Sequence, residues 1–248
     1  MTTPREPIFL TAEWRDLVMV NFEIEPEILA PRVPAGCELD FHDGRTFVSL
    51  VAFKFLKTRV WGLPIPWHRH FEEVNLRFYV RAKVDGTWRR GVVFVKEIVP
   101  RWAIAFAART FYQENYVSLP MRHSGDTSEP GSCLLEYAWR RNQAWEQVKA
   151  SIEGTAQTPE SGSEPSFIAE HYWGYCSQRN GSTVEYQVEH PPWRIWPVES
   201  WSMNLETASL YGAEFVETMQ DRFSSAFVAD GSPVTVRRGR RLCAETVA

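Results

Sequence analysis

Apolar residues recur at every second position along much of this chain, and this period constrains its fold more than any other feature. The alternation is clear within residues 18–24, 51–55, 74–80 and 184–188. Because successive side chains of a strand point to opposite faces, each segment predicts a strand with one buried face. Asp85-Gly86 lies between two such runs and predicts a hairpin, since the tight turn requires positive φ.

Helical patterns are few and short. They fall after Pro26 and within residues 102–109, 167–175 and 205–211, with Gly212 expected to close the last helix in a left-handed conformation. So few helices exclude an alternating βαβ plan. The sequence therefore predicts a closed or partly closed antiparallel barrel, or two packed sheets.

One domain spanning residues 1–248 accounts for the whole chain. A chain of 248 residues can bury a sizeable core without disulfides or metals. Residues 118–132 and 153–165 are poor in apolar residues and predict irregular surface loops. Neither segment separates self-contained sets of strands, and no internal repeat is evident.

The charge balance argues against nucleic acid and membrane partners. The formal net charge is −4 at pH 7, which gives no general attraction to phosphate backbones or anionic lipids. The one basic cluster follows a predicted strand and is interpreted as a solvated strand end; it comprises Arg237, Arg238, Arg240 and Arg241. No apolar run resembles a signal peptide or a membrane span, so a cytoplasmic location is expected.

Metal and cofactor motifs are missing from the sequence. The four cysteines have no Cys-x-x-Cys spacing, and the usual nucleotide, hydrolase and zinc-protease signatures do not occur. His68, His70 and Glu72 have a spacing that could chelate a metal, but they follow a loop rich in Pro and Trp. We interpret them as surface or packing residues, and we predict no metal and no cofactor.

A polar row on one strand is the main candidate site. In residues 71–81 one face carries Val74, Leu76, Phe78 and Val80, and the other carries Phe71, Glu73, Asn75, Arg77 and Tyr79. The second face could meet water, as in many antiparallel sheets. An acid, an amide, a guanidinium and a phenol in register are instead typical of a polar pocket inside a barrel, where neighbouring groups satisfy one another.

Several segments resemble the YqjF-like family of domains of unknown function. They occur in the family's order and cover most of the chain: VPAGCELDFHDGRTFVSLVAF, FEEVNLRFYV, AARTFYQENYVSLPM, FIAEHYWGY, VEHPPWRIW, and LYG followed by FVADGSPVTV. The chain departs from the family pattern at His171, between Glu170 and Tyr172, where an Arg is usual.

The resemblance implies an α+β, mainly antiparallel fold similar to that of the acetoacetate decarboxylases, a cone-shaped barrel with a few short helices around a cavity. In those enzymes a Lys-Lys pair supplies the Schiff-base nucleophile. The similar segment here retains Arg109 but has Glu114, Asn115, Tyr116 and Val117 near the lysine positions, and no Lys-Lys pair occurs anywhere. Schiff-base decarboxylation is therefore not expected. Among the lysines, Lys96 is the least implausible nucleophile, because burial could depress its pKa.

The leading prediction is that the protein binds a small organic molecule, anionic or carbonyl-containing, in an internal cavity. The expected ligand-binding residues are Glu73, Asn75, Arg77, Tyr79, Arg109 and Tyr116. Arg77 and Arg109 could converge on a carboxylate, although Arg77 could instead pair with Glu73 or another buried acid. Two alternatives stay open: a lyase or isomerase with Glu73 or Glu97 as general base, and a non-catalytic interaction module. Assembly into a homo-oligomer is also left open.

Overall fold

The computed structural model of the chain describes residues 5–64, 68–100, 115–128 and 131–243. Its strands are β1 (Ile8–Ile24), β2 (Glu38–Leu39), β3 (Thr46–Val60), β4 (Leu63–Pro64), β5 (Phe71–Val84), β6 (Thr87–Val99), β7 (Tyr116–Ser118), β8 (Met121–Ser124), β9 (Cys133–Arg141), β10 (Ala144–Ile152), β11 (Trp173–Ser177), β12 (Thr183–Glu189), β13 (Ile195–Asn204), β14 (Phe223–Arg237) and β15 (Arg240–Arg241). The α-helices are α1 (Pro26–Leu29), α2 (Glu164–Ala169), α3 (Thr207–Leu210) and α4 (Val216–Asp221), and 3-10 turns cover Ala30–Arg32 and Ala213–Phe215.

Seven strands pair in a closed ring. The order is β12, β11, β6, β5, β3, β1 and β14, and β14 pairs again with β12. Every neighbouring pair in the ring is antiparallel except β6 and β11, which run parallel. The mainly antiparallel architecture with a few short helices is thus confirmed.

A second layer of strands covers one side of the ring. β13 pairs with β14 and continues through β10 and β9 to β8. Leu76 and Phe78 of β5 share a buried cluster with Tyr137 and Trp139 of β9. Because the opposite face of β5 is also buried, neither face of this strand meets bulk water. The alternative in which the polar row of β5 is solvent-exposed is therefore wrong.

The hairpin predicted at Asp85-Gly86 is confirmed. Val84 of β5 pairs with Thr87 of β6, so the loop contains just these two residues. Asp85 has φ of 51° and Gly86 has φ of 73°, as a twisted two-residue hairpin turn requires.

Two of the predicted helices have different boundaries. The helix expected over 167–175 is α2, which begins after Ser163, whose side chain accepts a hydrogen bond from the backbone N–H of Ser166. It ends at Ala169, and Trp173–Ser177 forms a strand instead, because this segment pairs with β6 and β12. Pairing with two neighbours outweighed the local helical pattern.

The last predicted helix, over 205–211, is the single turn Thr207–Leu210. Gly212 follows with φ of 126° and ψ of 151°, so the predicted left-handed helical cap was wrong. The expected helix over 102–109 lies outside the described residues. Among the described residues, no helix is both long and apolar enough to cross a membrane.

The loop predicted over 118–132 is partly wrong. Met121–Ser124 forms β8, because the segment pairs in register with β9, from Met121 opposite Trp139 to Ser124 opposite Glu136. The sequence did not predict this strand, because it is short and its residues are mostly polar. The second predicted loop, 153–165, ends two residues early, since α2 begins at Glu164.

The junction between β6 and β11 depends on a glycine. A Cβ built on Gly91 would lie 2.5 Å from the backbone oxygen of Trp173 and 2.6 Å from the ring of Tyr175. We expect Gly91→Ala to lower the free energy of unfolding by about 1–3 kcal/mol, because backbone atoms cannot move away cheaply. Urea denaturation of the two proteins measures this. A difference below about 0.5 kcal/mol, the usual range of a neutral surface change, would contradict the close packing of these strands.

Candidate functional site

The ring of strands encloses a cavity of about 340 Å3. This volume lies within the range typical of pockets for small organic ligands. Many of its wall residues are aromatic, and they include Trp14, Phe53, Phe55, Phe71, Trp173 and Trp193. The cavity can therefore accept an apolar molecular body, and its few polar groups determine which molecules fit.

Three of the four residues in the polar row of β5 line this cavity. The side chains of Glu73, Asn75 and Arg77 all contribute to its wall, and these residues are only 3%, 2% and 9% exposed. The alternation of strand faces places them together, while the apolar face packs against the second layer. Asn75 Nδ2 donates a hydrogen bond of 3.0 Å to Glu73 Oε1, which fixes the orientation of the amide.

Tyr79 shares the same face but lies outside the cavity wall. Its hydroxyl lies 2.6 Å from Ser49 Oγ, which in turn donates to Asn21 Oδ1 over 2.6 Å. With Asn21 as the final acceptor, the Tyr79 hydroxyl is the donor to Ser49. Tyr79 thus supports the site through a buried hydrogen-bond chain, and the cavity ends before its position along β5.

The remaining predicted residues lie on other elements. Tyr116 of β7 lines the cavity, because β7 runs parallel to β6 beside Glu97, and Glu97 lines it too. Glu97 stands opposite Asn75 in the pairing of β5 with β6. Arg109 lies outside the described residues.

Arg77 provides a buried positive charge in the cavity. Its Nη2 donates to the backbone oxygen of Ile168 at 3.3 Å, and its Cζ lies 5.7 Å from the centre of the Tyr79 ring. Within the described residues, Nε of Arg77 has no hydrogen-bond partner, and no carboxylate forms an ion pair with this side chain. The alternative in which Glu73 neutralises Arg77 is therefore not what the structure shows.

His190 presents a neutral imidazole at the cavity wall. It follows β12 directly, and its ring stacks on Trp193 with a centroid distance of 4.1 Å and an angle of 15° between planes. Burial is the main cause that lowers the pKa of His190 to about 4, and the charge of Arg77 acts in the same direction. At neutral pH the ring is uncharged.

His171 is also neutral, but it is enclosed by protein. Its side chain is 1% exposed, and Nε2 lies 3.2 Å from Oδ2 of Asp40, which also accepts a bond of 2.6 Å from Arg90. Burial lowers the pKa of His171 to about 4 and outweighs the opposing hydrogen bond to Asp40. The ring packs against Tyr79 at 4.6 Å, so His171 shapes the wall of the site.

No lysine reaches the cavity. All five lysines of the chain are among the described residues, and none lines the cavity wall. Lys96 lies on the other face of β6, where its Nζ donates to the backbone oxygen of Leu210, and burial lowers its pKa. Lys54 pairs with Asp16 between the two layers of strands. The cavity therefore offers no amine nucleophile.

The three residues considered as metal ligands do not converge. Glu72 pairs instead with His123, whose Nδ1 lies 2.7 Å from Oε1. His68 contributes to the wall of the cavity, and His70 accepts a long backbone contact of 3.5 Å from Lys57. In the part of the chain that the structure describes, no three His, Cys, Asp or Glu side chains are grouped as a metal site would need.

The sequence did not identify His190 and Trp193 as site residues. Both belong to the segment VEHPPWRIW, which is one of the motifs that resemble the family. The resemblance implied no functional role for this segment. A connection between strands has no periodicity that tells which side chains point inward. The adjacent Pro191-Pro192 pair, which stiffens the connection, was the one local signal of a defined loop conformation.

Comparison with solved structures shows that the fold is that of the acetoacetate decarboxylase-like proteins. The enduracididine biosynthesis enzyme MppR matches with a TM-score of 0.67 at 13% identity, over 95% of this chain and 88% of that chain. Acetoacetate decarboxylase from Legionella pneumophila matches with a TM-score of 0.63 at 12% identity, over 100% of this chain and 94% of that chain. These likenesses establish the fold alone.

The family follows from the sequence comparison. Residues 11–233 match the DUF2071 family, described as an uncharacterized conserved protein, and the chain belongs to this family. It is also 27% identical over 191 residues, 75% of each chain, to the uncharacterized protein YqjF of Bacillus subtilis (strain 168). The resemblance inferred from the sequence motifs is confirmed.

The two depressed histidine pKa values predict a pH dependence of stability. Both folded-state values are about 4, below the ordinary value of 6.5, so between these limits the unfolded chain binds more protons than the folded chain. The free energy of unfolding should therefore fall as the pH drops from 6.5 towards 4, by at most about 1.4 kcal/mol per pH unit for each histidine. Urea denaturation at a series of pH values should show a shallower slope for His190→Phe than for wild type. An equal slope would contradict the assignment of a depressed pKa to His190.

Proposed function

We propose that this protein binds a small organic acid in the cavity inside its ring of strands, with the acid group at Arg77. The observation that carries the proposal is the buried guanidinium of Arg77 without a carboxylate partner among the described residues. Arginine is well suited to planar anions because its fork of N–H donors can bind both oxygens of a carboxylate.

Burial makes an unneutralised guanidinium costly. Charged groups inside proteins are normally paired, because removing them from water without compensation costs several kcal/mol. Here the single described hydrogen bond of Arg77 goes to the backbone oxygen of Ile168, which is an uncharged acceptor. An anionic ligand would place a negative charge in direct contact with the guanidinium and accept its hydrogen bonds.

The shape of the cavity limits the rest of the ligand. Its volume of about 340 Å3 suits a compact molecule, and its aromatic walls favour an apolar body next to the acid group. A solved structure of MppR, titled as complexed with pyruvate, matches with a TM-score of 0.65 at 14% identity over 97% of this chain and 91% of that chain. This precedent of a small keto acid in the same fold supports the ligand class by analogy.

A catalytic role is a second candidate, supported by the two carboxylates in the cavity. Glu73 and Glu97 both line the wall that carries Arg77, so a carbonyl acid held at Arg77 would lie near a general base. A lyase or isomerase of this kind would work without a Schiff base, because no lysine lines the cavity.

The proposal predicts that small organic acids raise the melting temperature of the wild-type protein. Suitable probes are propionate, lactate, pyruvate, 3-phenylpropionate and 3-phenyllactate. An acid at one hundred times its Kd stabilises the folded state by about 2.7 kcal/mol, a shift of roughly 5 to 10 °C for a domain of this size. We expect Arg77→Met to abolish this shift, because the substitution removes the cation but keeps an unbranched apolar side chain.

Arg81→Met is the matched control. Arg81 lies on the same strand but pairs with Glu38 at 2.7 Å, and it does not line the cavity. The control protein should respond to the acids as wild type does. If no acid shifts the wild-type protein, or if Arg77→Met responds equally well, the proposed function is wrong.

A further inference from the structure

The ring of His190 is held in one place by aromatic neighbours. Trp193 stacks on it at 4.1 Å, and Tyr172 packs against it with a centroid distance of 4.8 Å. Val188, two residues earlier, lines the cavity from β12, and His190 itself forms part of the wall. A ring fixed in this way presents the same edge to whatever occupies the cavity.

One nitrogen of this ring is a hydrogen-bond acceptor. Nδ1 lies 2.9 Å from the carbonyl oxygen of Pro191, and because a carbonyl can only accept, Nδ1 carries the proton. In the neutral ring Nε2 then has a lone pair and no hydrogen. No described residue forms a hydrogen bond with Nε2. The pKa of about 4 keeps it unprotonated at neutral pH.

Arg77 and His190 have opposite requirements. The charge of Arg77 is near enough to lower the pKa of His190, so both groups face the same small volume. Arg77 can only donate hydrogen bonds, whereas Nε2 of His190 can only accept one. An acid without a donor group would satisfy Arg77 but would leave Nε2 without a partner once water is displaced, which carries a desolvation cost.

We infer that the cavity selects acids that also carry a hydroxyl or a neutral N–H group, and that Nε2 of His190 accepts the hydrogen bond from this group. The inference rests on the proposed binding of the acid at Arg77. A hydroxyl or amide N–H can donate to Nε2 without adding a second positive charge beside the guanidinium. The rings of Trp193 and Trp14 pack at a tilt of 60° with centroids 6.1 Å apart, and they favour an apolar or aromatic body.

A matched pair of acids tests this inference. 3-Phenyllactate and 3-phenylpropionate differ by one hydroxyl group, and their Kd values can be measured by calorimetry with the full-length protein. We expect wild type to bind the hydroxy acid about tenfold more tightly, the size of effect that one net hydrogen bond of about 1.4 kcal/mol gives. In His190→Phe, which keeps the stacked ring but removes the acceptor, the ratio should fall to about one through weaker binding of the hydroxy acid alone.

Two further measurements separate the outcomes. His190→Gln, which retains an acceptor at this position, should keep part of the preference. If His190→Phe does not fold, nitrogen NMR of the wild-type imidazole still tests whether Nε2 accepts the hydrogen bond. The chemical shift of Nε2 should change when the hydroxy acid binds and should not change with 3-phenylpropionate. Equal affinities of wild type for both acids, or a preference that survives in His190→Phe, overturn the inference while binding at Arg77 stands. If none of the five acids in the melting-temperature panel binds wild type, the proposed function is wrong, and this inference with it; if only the smaller acids bind, lactate and propionate give the same comparison.

Discussion

The pairing between β12 and β14 closes the ring, and the enclosed cavity depends on this contact. The pairing is short, with Val188 opposite Val236 and Glu189 opposite Thr235. Both valines line the cavity, so the closing seam is also part of its wall. Arg237 strengthens the seam with two hydrogen bonds to the carboxylate of Glu189, at 2.8 and 3.1 Å. Without this closure the same strands would form an open sheet, and the polar row of β5 would face water.

Closure of the ring also explains the electrostatics of the site. Burial keeps His171 and His190 neutral, and the charge of Arg77 contributes in both cases. Of these three groups only Arg77 is charged at neutral pH. A protonated histidine beside Arg77 would form a cluster of positive charge suited to larger anions, whereas a neutral histidine offers a hydrogen-bond acceptor. This arrangement is the basis of the proposal that an acid group binds at Arg77 and a hydrogen-bond donor at His190.

Much of the fold was predictable from the sequence because strand periodicity is local. The alternation along β5 identified Glu73, Asn75 and Arg77 as members of one face, and the Asp85-Gly86 turn located the following hairpin. The helical pattern over 167–175 was misleading, because part of that segment gains more from pairing with β6 and β12 than from a helix. β8 was missed because its few residues show no alternation, and its register with β9 sets its conformation.

The site itself was only partly predictable. Tyr79 has the right periodicity, yet its hydroxyl is buried against Ser49 because the cavity ends before its position on the strand. His190 lies in an irregular connection, and only the closed ring brings it to the wall that contains Arg77. No local pattern predicts such a contact between segments distant in sequence.

A crystal structure of the protein with 3-phenyllactate would show directly how Arg77 and His190 hold an acid. We expect the carboxylate within hydrogen-bond distance of the Arg77 guanidinium, the hydroxyl at Nε2 of His190, and the phenyl ring against the aromatic wall. A ligand bound only outside the ring of strands, or an interior filled by side chains with no room for a ligand, would contradict it.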